Sequence, residues 1–447
     1  MKNSKKDIEY YYELDRISNS GLQNLFNESP PYKELLSNNI LKSTGHGIYK
    51  FTYVGVLNYG TKLIFVLPKY LKKHKDVINL KKEVQLIIKV LIKYSSKYNF
   101  ARSLDFVNNA MNDQLWSEIE IADFLIKDYH IYGLWFKEVH KKDINNLGEI
   151  DWSKTVDEIT PWVSEGVPIY FDTYNCFKES NYDHVITQLH KWAINYCIIK
   201  YSSLLDVETV IYDFDFDLDL IGGVSGALRI LDIELSNSFT DREILLLKHL
   251  KALFTENISS SQTNLMLYGS NKFELVWENV CQDIFSHDTS LLSGMIKPKW
   301  FVLCGGEPVI SEINKNMALR PDLLFIEGQT IFIVDAKYYD ILSSEYPQNI
   351  ELKNVVPTSD ISKQIMYQLI LEESLKISRE NFRNIFVLPE IITSKLIEKI
   401  GYVRLPNSSK CSDIEVCVVN PTLAYNYYLG YEKIDFGSEL PFVQMVT

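Results

Sequence analysis

The 447-residue chain has a globular composition, with 46% hydrophobic and 23% charged residues and a large aromatic content. This length predicts two or three domains and enough apolar residues for a sizeable core. No apolar run reaches the ~18 residues of a membrane span. The charged N-terminal stretch also lacks the apolar core of a secretory signal. We therefore expect a cytoplasmic protein that does not attach to a membrane.

The cysteines, histidines and net charge narrow the function classes further. The six cysteines are scattered without a Cys-x-x-Cys pair, and the eight histidines form no ligand cluster, which argues against a zinc site or a disulfide framework. The net charge is −12. Since phosphate contacts come from basic residues, a protein of this charge that acts on DNA needs a local basic cluster or a partner that brings the DNA.

In the N-terminal part, residues 48–57 and 62–67 read as two strands around a turn at 58–60, with a proline stop at Pro68. Residues 72–98 follow as an amphipathic helix whose polar face is the most lysine-rich stretch of the chain. We interpret this face either as a solvated surface or as a strip that binds DNA or a partner.

The middle of the chain alternates helices with short strands. Helical patterns occupy 112–142 and 184–204, and between them 148–174 predicts a turn, a short helix and a strand from Ile169. Thr240 and Glu243 form a capping box that begins another helix. That helix ends in the polar linker 257–264. We therefore expect an α+β module over residues 1–260, with a subdivision near 75, and a second domain over 265–447.

The second domain predicts an α/β arrangement with a mixed sheet. A helix at 271–285 presents Glu274 and Glu278 on one face beside its apolar stripe. Strands follow near 299–313, in the hairpin 323–334, and at 384–390, 401–407 and 413–421, and a helix beginning near Asp360 lies between the hairpin and the last three. Asp360 or Ser362 is available to cap that helix.

Two carboxylates and an ammonium stand at the ends of the hairpin strands. Asp322 begins the first strand behind Pro321, and Asp335 and Lys337 end the second. Strand alternation places Asp335 and Lys337 on one side, and the turn at 327–329 returns Asp322 beside Asp335. Such a group suits Mg²⁺-assisted phosphoryl chemistry. The alternative is an ordinary hairpin with solvated charges at its ends.

The string Pro321-Asp322, followed by Asp335 and Lys337, resembles the PD-(D/E)XK nuclease superfamily. The resemblance implies that Asp322, Asp335 and Lys337 are catalytic, with both aspartates ligating Mg²⁺, or Mn²⁺ in its place. Lys337 would orient or activate the attacking water and offset charge on the scissile phosphate. An acid on the preceding helix would complete the metal site, with Glu278 as the first candidate and Glu274 as the second.

The resemblance also implies a contribution from the helix after the hairpin, where related nucleases place a Gln and a Tyr near the DNA. Lys363, Gln364 and Tyr367 are the candidates. The spacing here is Gln-x-x-Tyr, whereas the RecB-type pattern is Gln-x-x-x-Tyr. A helix surface without a role in the site is the alternative.

Three further strings resemble McrC-like and LlaJI-type restriction endonuclease subunits: YVGVLNYGTKLIFVLPKY at 53–70, the Trp-x-Lys-Thr segment at 152–155, and FELVWE at 273–278. This resemblance implies a restriction subunit that cleaves double-stranded DNA with an AAA+ GTPase or other NTPase partner, engaged through the strand pair at 53–70. The chain itself has no Walker motif. An inactive nuclease fold that bridges other molecules and a stand-alone repair nuclease are the alternatives.

Overall fold

The computed structural model describes residues 8–26, 30–59, 62–75, 78–98, 106–108, 117–205, 207, 216–259, 265–285, 287–288, 290, 300–304, 307–311, 320–339, 355–391, 395–405 and 412–432. The chain forms two compact units, one of Met1–Met111 with Asn264–Thr447 and one of Asn112–Thr263. The sequence pointed to one main boundary near 260–265. In the structure the division between the two units also falls between residues 111 and 112, so residues 1–111 belong to the same unit as the C-terminal part.

The elements before residue 112 are strands β1 Ile8–Tyr12, β2 Arg16–Ser18, β3 Leu41–Gly45, β4 Ile48–Phe51, β5 Val54–Tyr59, β6 Lys62–Leu67 and β7 Phe106–Asn108, and helices α1 Asn19–Leu25, α2 Tyr32–Ser37 and α3 Leu80–Tyr98. The second unit contains strands β8 Lys137–Ile144, β9 Glu149–Ile150, β10 Trp162–Ser164, β11 Val167–Ile169 and β12 Tyr174–Asn181, and helices α4 Glu118–Tyr132, α5 Trp152–Glu158, α6 Val185–Leu205, α7 Gly223–Ser236 and α8 Asp241–Ser259.

The elements after residue 264 are strands β13 Leu265–Ser270, β14 Trp300–Cys304, β15 Glu307–Ser311, β16 Leu323–Glu327, β17 Thr330–Ala336, β18 Phe382–Pro389, β19 Ile397–Val403 and β20 Ile414–Val419, and helices α9 Phe273–Ile284, α10 Thr358–Leu375 and α11 Pro421–Leu429. Short 3-10 helices lie at Lys69–His74, Leu218–Ile221 and Arg379–Asn381. None of the helices described has the length and apolar character that a membrane crossing needs.

A five-stranded sheet in the order β1-β6-β5-β13-β7 joins the two sequence segments of the first unit. β5 and β13 pair antiparallel with Gly55 opposite Gly269. A Cβ atom at Gly269 would lie 2.2 Å from the carbonyl oxygen of Val54, and Gly55 has a φ of 149°, so both positions need glycine for the strands to approach. The strand that follows the linker is thus part of the N-terminal sheet.

Two predicted N-terminal elements differ from the structure. The strand expected at 48–57 is two strands, because β4 pairs between β2 and β3 in a separate three-stranded sheet while β5 enters the five-stranded one. The helix expected at 72–98 begins only at Leu80, since Lys69–His74 forms a 3-10 turn directly after Pro68. The apolar pattern identified these elements, but the changes of direction between them carry no glycine or proline signal at 51–54.

The C-terminal sheet is mixed, as predicted, in the order β16-β17-β18-β20-β19. β17, β18 and β20 run parallel, and β16 and β19 pair antiparallel at the two edges. Leu324, Ile333, Tyr367 and Leu371 form a core between α10 and this sheet. The strands expected near 299–313 are confirmed as β14 and β15, which pair with each other in a sheet of their own.

Three helices from distant parts of the chain pack together in the first unit. α3 contacts α9 and α11, and the buried hydroxyls of Tyr70 and Tyr425 are 2.6 Å apart. Lys97 on α3 lies 2.5 Å from Asp283 on α9, and Lys93 donates to the carbonyl of Tyr428. Part of the basic face predicted for α3 is therefore used in internal packing. α11 was not predicted, although Asn420 and Pro421 form an N-terminal helix signal.

The second unit packs α4, α6 and α8 together and adds the strands β8, β12 and β9. The predicted helix at 184–204 is confirmed as α6. The hydroxyl of Thr240 accepts the backbone N–H of Glu243 at 3.3 Å and donates to its carboxylate at 2.9 Å, which confirms the predicted cap of α8. β10 and β11 form a short separate hairpin.

Candidate active site

The predicted hairpin is confirmed as β16 and β17. Leu323 pairs with Val334 at its open end, so Asp322 and Asp335 lie next to each other one residue further along. Gly328, with a φ of 58°, provides the positive φ that a two-residue turn needs at its first position. Asp322 accepts the backbone N–H of Ala336 at 2.9 Å. The pairing of the two strands thus brings together two carboxyl groups that are thirteen positions apart in the sequence.

Lys337 stands directly after β17 and pairs with two carboxylates. Its Nζ atom lies 2.8 Å from Oδ2 of Asp335 and 3.1 Å from Oδ2 of Asp360, and its backbone N–H donates to the carbonyl of Val387 at 2.8 Å. Burial would lower the pKa of Lys337, but the two carboxylates raise it above its ordinary value. Lys337 therefore carries a fixed positive charge at the strand end.

The carboxyl groups around this lysine destabilise one another's ionised forms. Burial, a hydrogen bond to Asp335 and the charges of Asp335 and Glu278 raise the pKa of Asp322 from 3.8 to about 10. Burial and the charge of Asp335 also raise the pKa of Glu278, while Lys337 opposes that shift. Burial and mutual repulsion make it unfavourable for these carboxyl groups to ionise together. A cation bound among them would stabilise their ionised forms.

The donor set fits a hard divalent cation in chemistry and charge, since its members offer only carboxylate oxygen. As the side chains lie, no three His, Cys, Asp or Glu residues within the described ranges are close enough to hold one ion together. Asp322 and Asp335 are hydrogen-bonded to each other and to their neighbours. Joint metal ligation by Asp322, Asp335 and Glu278 therefore stays a prediction, and it requires these side chains to exchange their present partners.

Two acids on α9 face the site, one turn apart. Glu278 is half-buried, and Gln282 donates both to its Oε1 at 3.1 Å and to the carbonyl of Asp322 at 3.0 Å. Glu274 is exposed but faces the same cavity. The bridging amide of Gln282 ties Glu278 to the hairpin, and the choice between the two acids as the metal ligand stays a prediction.

These side chains line an open cavity of about 460 Å³. Its walls contain Lys69, Glu274, Glu278, Asp322, Asp335, Ala336, Lys337, Tyr338, Tyr339, Lys363 and Tyr367. The structure thus brings together every candidate from the sequence except Gln364. Gln364 is fully buried and donates to the carbonyl of Ile333 at 2.6 Å, so it links α10 to the sheet.

Tyr367 and Lys363 lie on the side of α10 that borders the cavity. Tyr367 is mostly buried, and burial together with the charges of Asp335 and Asp322 raises its pKa to about 12. It therefore offers a neutral hydroxyl at neutral pH. Lys363 lies 3.8 Å from Asp360 and has an exposed side chain.

The sequence reasoning missed three contributions to this site. Asp360 was expected as a helix cap, but α10 begins at Thr358 after Pro357, so Asp360 lies within the first turn and its carboxylate pairs with Lys337. The position of the preceding proline was the available signal. Lys69 and Tyr338 also line the cavity. For Lys69, more than 200 residues before the hairpin, no local signal exists.

This geometry, a mixed sheet with acids and a lysine gathered at adjacent strand ends, can be set beside the family that comparisons with known proteins identify. The family model described as LlaJI restriction endonuclease matches residues 53–413, and the chain belongs to that family. The resemblance identified from its motifs is thereby confirmed.

One curated protein and one solved structure are also similar to the chain. The chain is 31% identical over 422 residues to the "Type II restriction enzyme BsuMI component YdjA" of Bacillus subtilis (strain 168), covering 92% of this chain and 88% of that protein. A solved structure with 14% sequence identity and a TM-score of 0.39 is described as "Refined half-complex from tetradecameric assembly of Thermococcus gammatolerans McrB AAA+ hexamers with bound McrC". It covers 95% of this chain and 100% of the matched one.

Proposed function

We propose that the chain is the Mg²⁺-dependent endonuclease subunit of a bacterial restriction system, of the PD-(D/E)XK type, and that it hydrolyses phosphodiester bonds of double-stranded DNA. The observation that carries the proposal is the meeting of Asp322, Asp335 and Lys337 at one end of a mixed sheet, in an open cavity. Membership of the restriction endonuclease family supports the reaction class.

Asp322, Asp335 and an acid of α9 would hold the metal through carboxylate oxygens, with Glu278 preferred over Glu274. When bound, Mg²⁺ would supply Lewis-acid stabilisation of the phosphoryl oxygens and a more acidic water. Lys337 keeps its proton beside two carboxylates, so we assign it an electrostatic role: it orients the attacking water and offsets charge on the phosphate. Asp360 positions the Lys337 ammonium from the first turn of α10.

We also propose that an NTP-hydrolysing partner of the AAA+ class completes the system. The net charge of −12 opposes independent capture of a polyanion, and the sequence has no phosphate-binding motif. The relative from Bacillus subtilis is named as a component. These observations support a multi-subunit enzyme, in which the partner supplies nucleotide hydrolysis and brings the DNA.

In the structure, the segment expected to engage the partner is largely covered by other elements. Residues Val54–Asn58 of β5 and Leu63–Leu67 of β6 are buried, and both strands are paired on each side. That strand pair therefore offers little surface for docking. A better candidate lies in the second unit, where Trp152, Trp162, Val163, Val167 and Phe171 are each more than half exposed around the β10–β11 hairpin. Grouped exposed apolar side chains are typical of protein interfaces.

The test of the nuclease is a cleavage assay on supercoiled and linear duplex DNA. The purified chain is incubated with Mg²⁺ or EDTA, alone and with the product of a neighbouring gene that carries a Walker motif plus nucleotide. We expect cleavage that requires Mg²⁺ and is lost in Asp335→Asn and Lys337→Met. An absence of cleavage under every condition would favour the inactive bridging protein over the nuclease.

The same assay separates the partner model from the stand-alone repair nuclease. We expect the partner and nucleotide to accelerate cleavage, whereas efficient cleavage of specific sites by the chain alone at physiological salt would contradict the partner model. Trp162→Ser combined with Phe171→Ser should abolish co-purification with the partner. Phe239→Ser, which also changes an exposed aromatic of the second unit, serves as the matched control.

A further inference from the structure

A lysine from the N-terminal sheet reaches the candidate active site. Lys69 follows Pro68 at the end of β6 and begins the 3-10 helix Lys69–His74. Its side chain lines the same cavity as Asp335 and Glu278. Its Nζ atom lies 4.1 Å above the ring of Tyr338, the residue directly after Lys337. The cavity wall is therefore built from both sequence segments of the first unit.

Contacts on both sides fix Lys69 in this place. The hydroxyl of Tyr338 donates to the carboxylate of Glu13 at 2.8 Å, and the backbone N–H of Lys69 also hydrogen-bonds to Glu13. The neighbouring ring of Tyr70 packs edge-on against Tyr338, and its hydroxyl is 2.6 Å from that of Tyr425. Because Tyr338 is buried, this arrangement connects the N-terminal sheet rigidly to the strand that carries Asp335.

The three lysines at the cavity differ in how closely carboxylates pair with their ammonium groups. Lys337 lies within 3.1 Å of two carboxylates, and Lys363 lies 3.8 Å from Asp360. No carboxylate of the described residues is within ion-pair distance of the Lys69 ammonium. The charge of Lys69 does act on one nearby acid, Glu13, whose pKa burial raises and Lys69 lowers, but the Glu13 carboxylate accepts hydrogen bonds from Tyr338 and from the Lys69 backbone. Among the three cavity lysines, Lys69 is thus the one whose ammonium forms no ion pair within the described residues and can approach an incoming anion.

We propose that Lys69 contacts a phosphate of the DNA backbone bound in this cavity, so that the N-terminal sheet supplies a substrate-binding residue to the nuclease centre. The inference rests on the proposed function, because it takes DNA as the ligand. Four acidic side chains line the cavity and repel phosphate when they are ionised, so the charge of a bound phosphate has to be offset by a cation. The stacking of the ammonium on Tyr338 holds that cation in place before DNA arrives.

The test compares Lys69→Met with Lys72→Met in the full-length chain. Lys72 lies in the same 3-10 helix and carries the same charge, but it pairs with Asp15 at 2.5 Å and does not line the cavity. Binding of a fluorescent duplex DNA is measured as a function of salt, starting at low ionic strength, with Ca²⁺ replacing Mg²⁺ and the absence of turnover checked on a gel. Thermal melting of each variant verifies folding, and Lys69→Gln serves as a second substitution.

We expect Lys69→Met to weaken DNA binding about 10- to 100-fold, the effect of one lost charge-assisted hydrogen bond. The slope of log K against log salt should become shallower by about one unit. Lys72→Met should change neither quantity, and Lys69→Arg should restore most of the affinity. Equal affinity and slope for the two methionine variants would overturn the proposal, as would a wild-type chain that binds no DNA at low salt.

The cleavage assay with Mg²⁺ decides the proposed function separately. A wild-type chain that binds DNA through Lys69 but cleaves none would leave the phosphate contact standing and remove the nuclease activity. A wild-type chain that cleaves, with Lys69→Met indistinguishable from Lys72→Met in kcat/KM, would leave the nuclease standing and remove Lys69 from its substrate-binding surface.

Discussion

At the scale of single residues, the site is defined by two features. Its carboxyl groups destabilise one another's ionised forms, and two of them share one lysine. Asp322 depends on a proton, Asp335 and Asp360 depend on Lys337, and Glu278 is tied to the hairpin by Gln282. Buried groups in this condition are typical of functional sites, because a structural core gains nothing from mutual repulsion.

Asp322→Asn should preserve the fold and abolish cleavage. The amide is isosteric with the protonated acid that burial favours, and it can still accept the Ala336 N–H. It cannot serve as an anionic metal ligand, so we expect the cleavage rate to fall on the order of 10³-fold or more. Melting without divalent metal should be unchanged or higher. Cleavage at the wild-type rate would remove Asp322 from the catalytic set.

The raised pKa of Asp322 predicts a pH-dependent response to Mg²⁺. Between the ordinary value of 3.8 and the folded-state value of about 10, the unfolded chain binds fewer protons than the folded one, so the contribution of this group to the free energy of unfolding falls as pH rises. A metal ion that displaces the proton should therefore raise Tm more at about pH 8 than at about pH 6. Thermal melting with Mg²⁺ and with EDTA measures this difference, and it should disappear in Asp322→Asn.

Glu278→Gln should reduce the apparent Mg²⁺ affinity and the cleavage rate more than Glu274→Gln. The two substitutions change the same helix by the same chemistry, but only Glu278 is half-buried and bridged to Asp322 through Gln282. Loss of a ligand should cost at least tenfold in metal affinity. Mg²⁺ titration of the cleavage rate compares the two variants. A larger effect at Glu274 would assign the ligand to that residue.

At the scale of elements, the position of the site depends on strands whose partners lie far away in sequence. β13 follows the polar linker but pairs with β5 and β7, and β17 is held between β16 and β18. The glycine pair at Gly55 and Gly269 lets β5 and β13 approach where the ring of Tyr53 also packs, since a Cβ at either position would meet the Tyr53 hydroxyl within 2.7 Å. These close contacts join the N-terminal sheet to the segment that leads into α9.

Gly269→Ala should therefore destabilise the first unit. Its Cβ would lie 2.2 Å from a backbone carbonyl, which cannot move without opening the sheet, and overpacking of this kind costs about 1–3 kcal/mol. Gly401→Ala on β19 is the matched control, because a Cβ there meets no atom within 4 Å. Chemical denaturation of both variants gives the comparison. Equal free energies of unfolding would show that the β5–β13 contact is not as tight as described.

At the scale of the whole molecule, the C-terminal part that carries the candidate site and the N-terminal sheet form one compact unit, and residues 112–263 form the other. Deleting residues 1–75 would remove β1, β5 and β6 from the five-stranded sheet, together with Tyr70, which contacts Tyr425. Such a deletion should leave the remaining first unit unable to fold. An N-terminal truncation therefore cannot separate partner binding from catalysis.

Replacing residues 112–263 with a short Gly/Ser linker should instead leave a folded first unit. Asn108 at the end of β7 pairs with Tyr268, only three residues beyond the start of β13, so a short linker can close the gap. We expect cooperative thermal unfolding by circular dichroism and loss of partner co-purification. Failure of this variant to fold, combined with folding of the 1–75 deletion, would contradict the division into these two units.

Local sequence patterns were sufficient to predict the elements with strong apolar periodicity and the site residues that are close along the chain. The hairpin, α6, α9 and α10 follow from local patterns, and Asp322, Asp335 and Lys337 meet because a tight turn imposes their register. The family resemblance also rests on short strings of this kind, and the family is confirmed.

Which distant elements pack together could be learned only from the folded structure. Gln364 and Tyr367 are three residues apart on one helix, yet Gln364 binds the sheet and Tyr367 borders the cavity, because the rotation of α10 on the sheet depends on its whole packed face. Lys69 and Glu13 reach the site through the pairing of β1 with β6 and the burial of Tyr338. Such contacts arise from chain closure over hundreds of residues, and no local propensity encodes them.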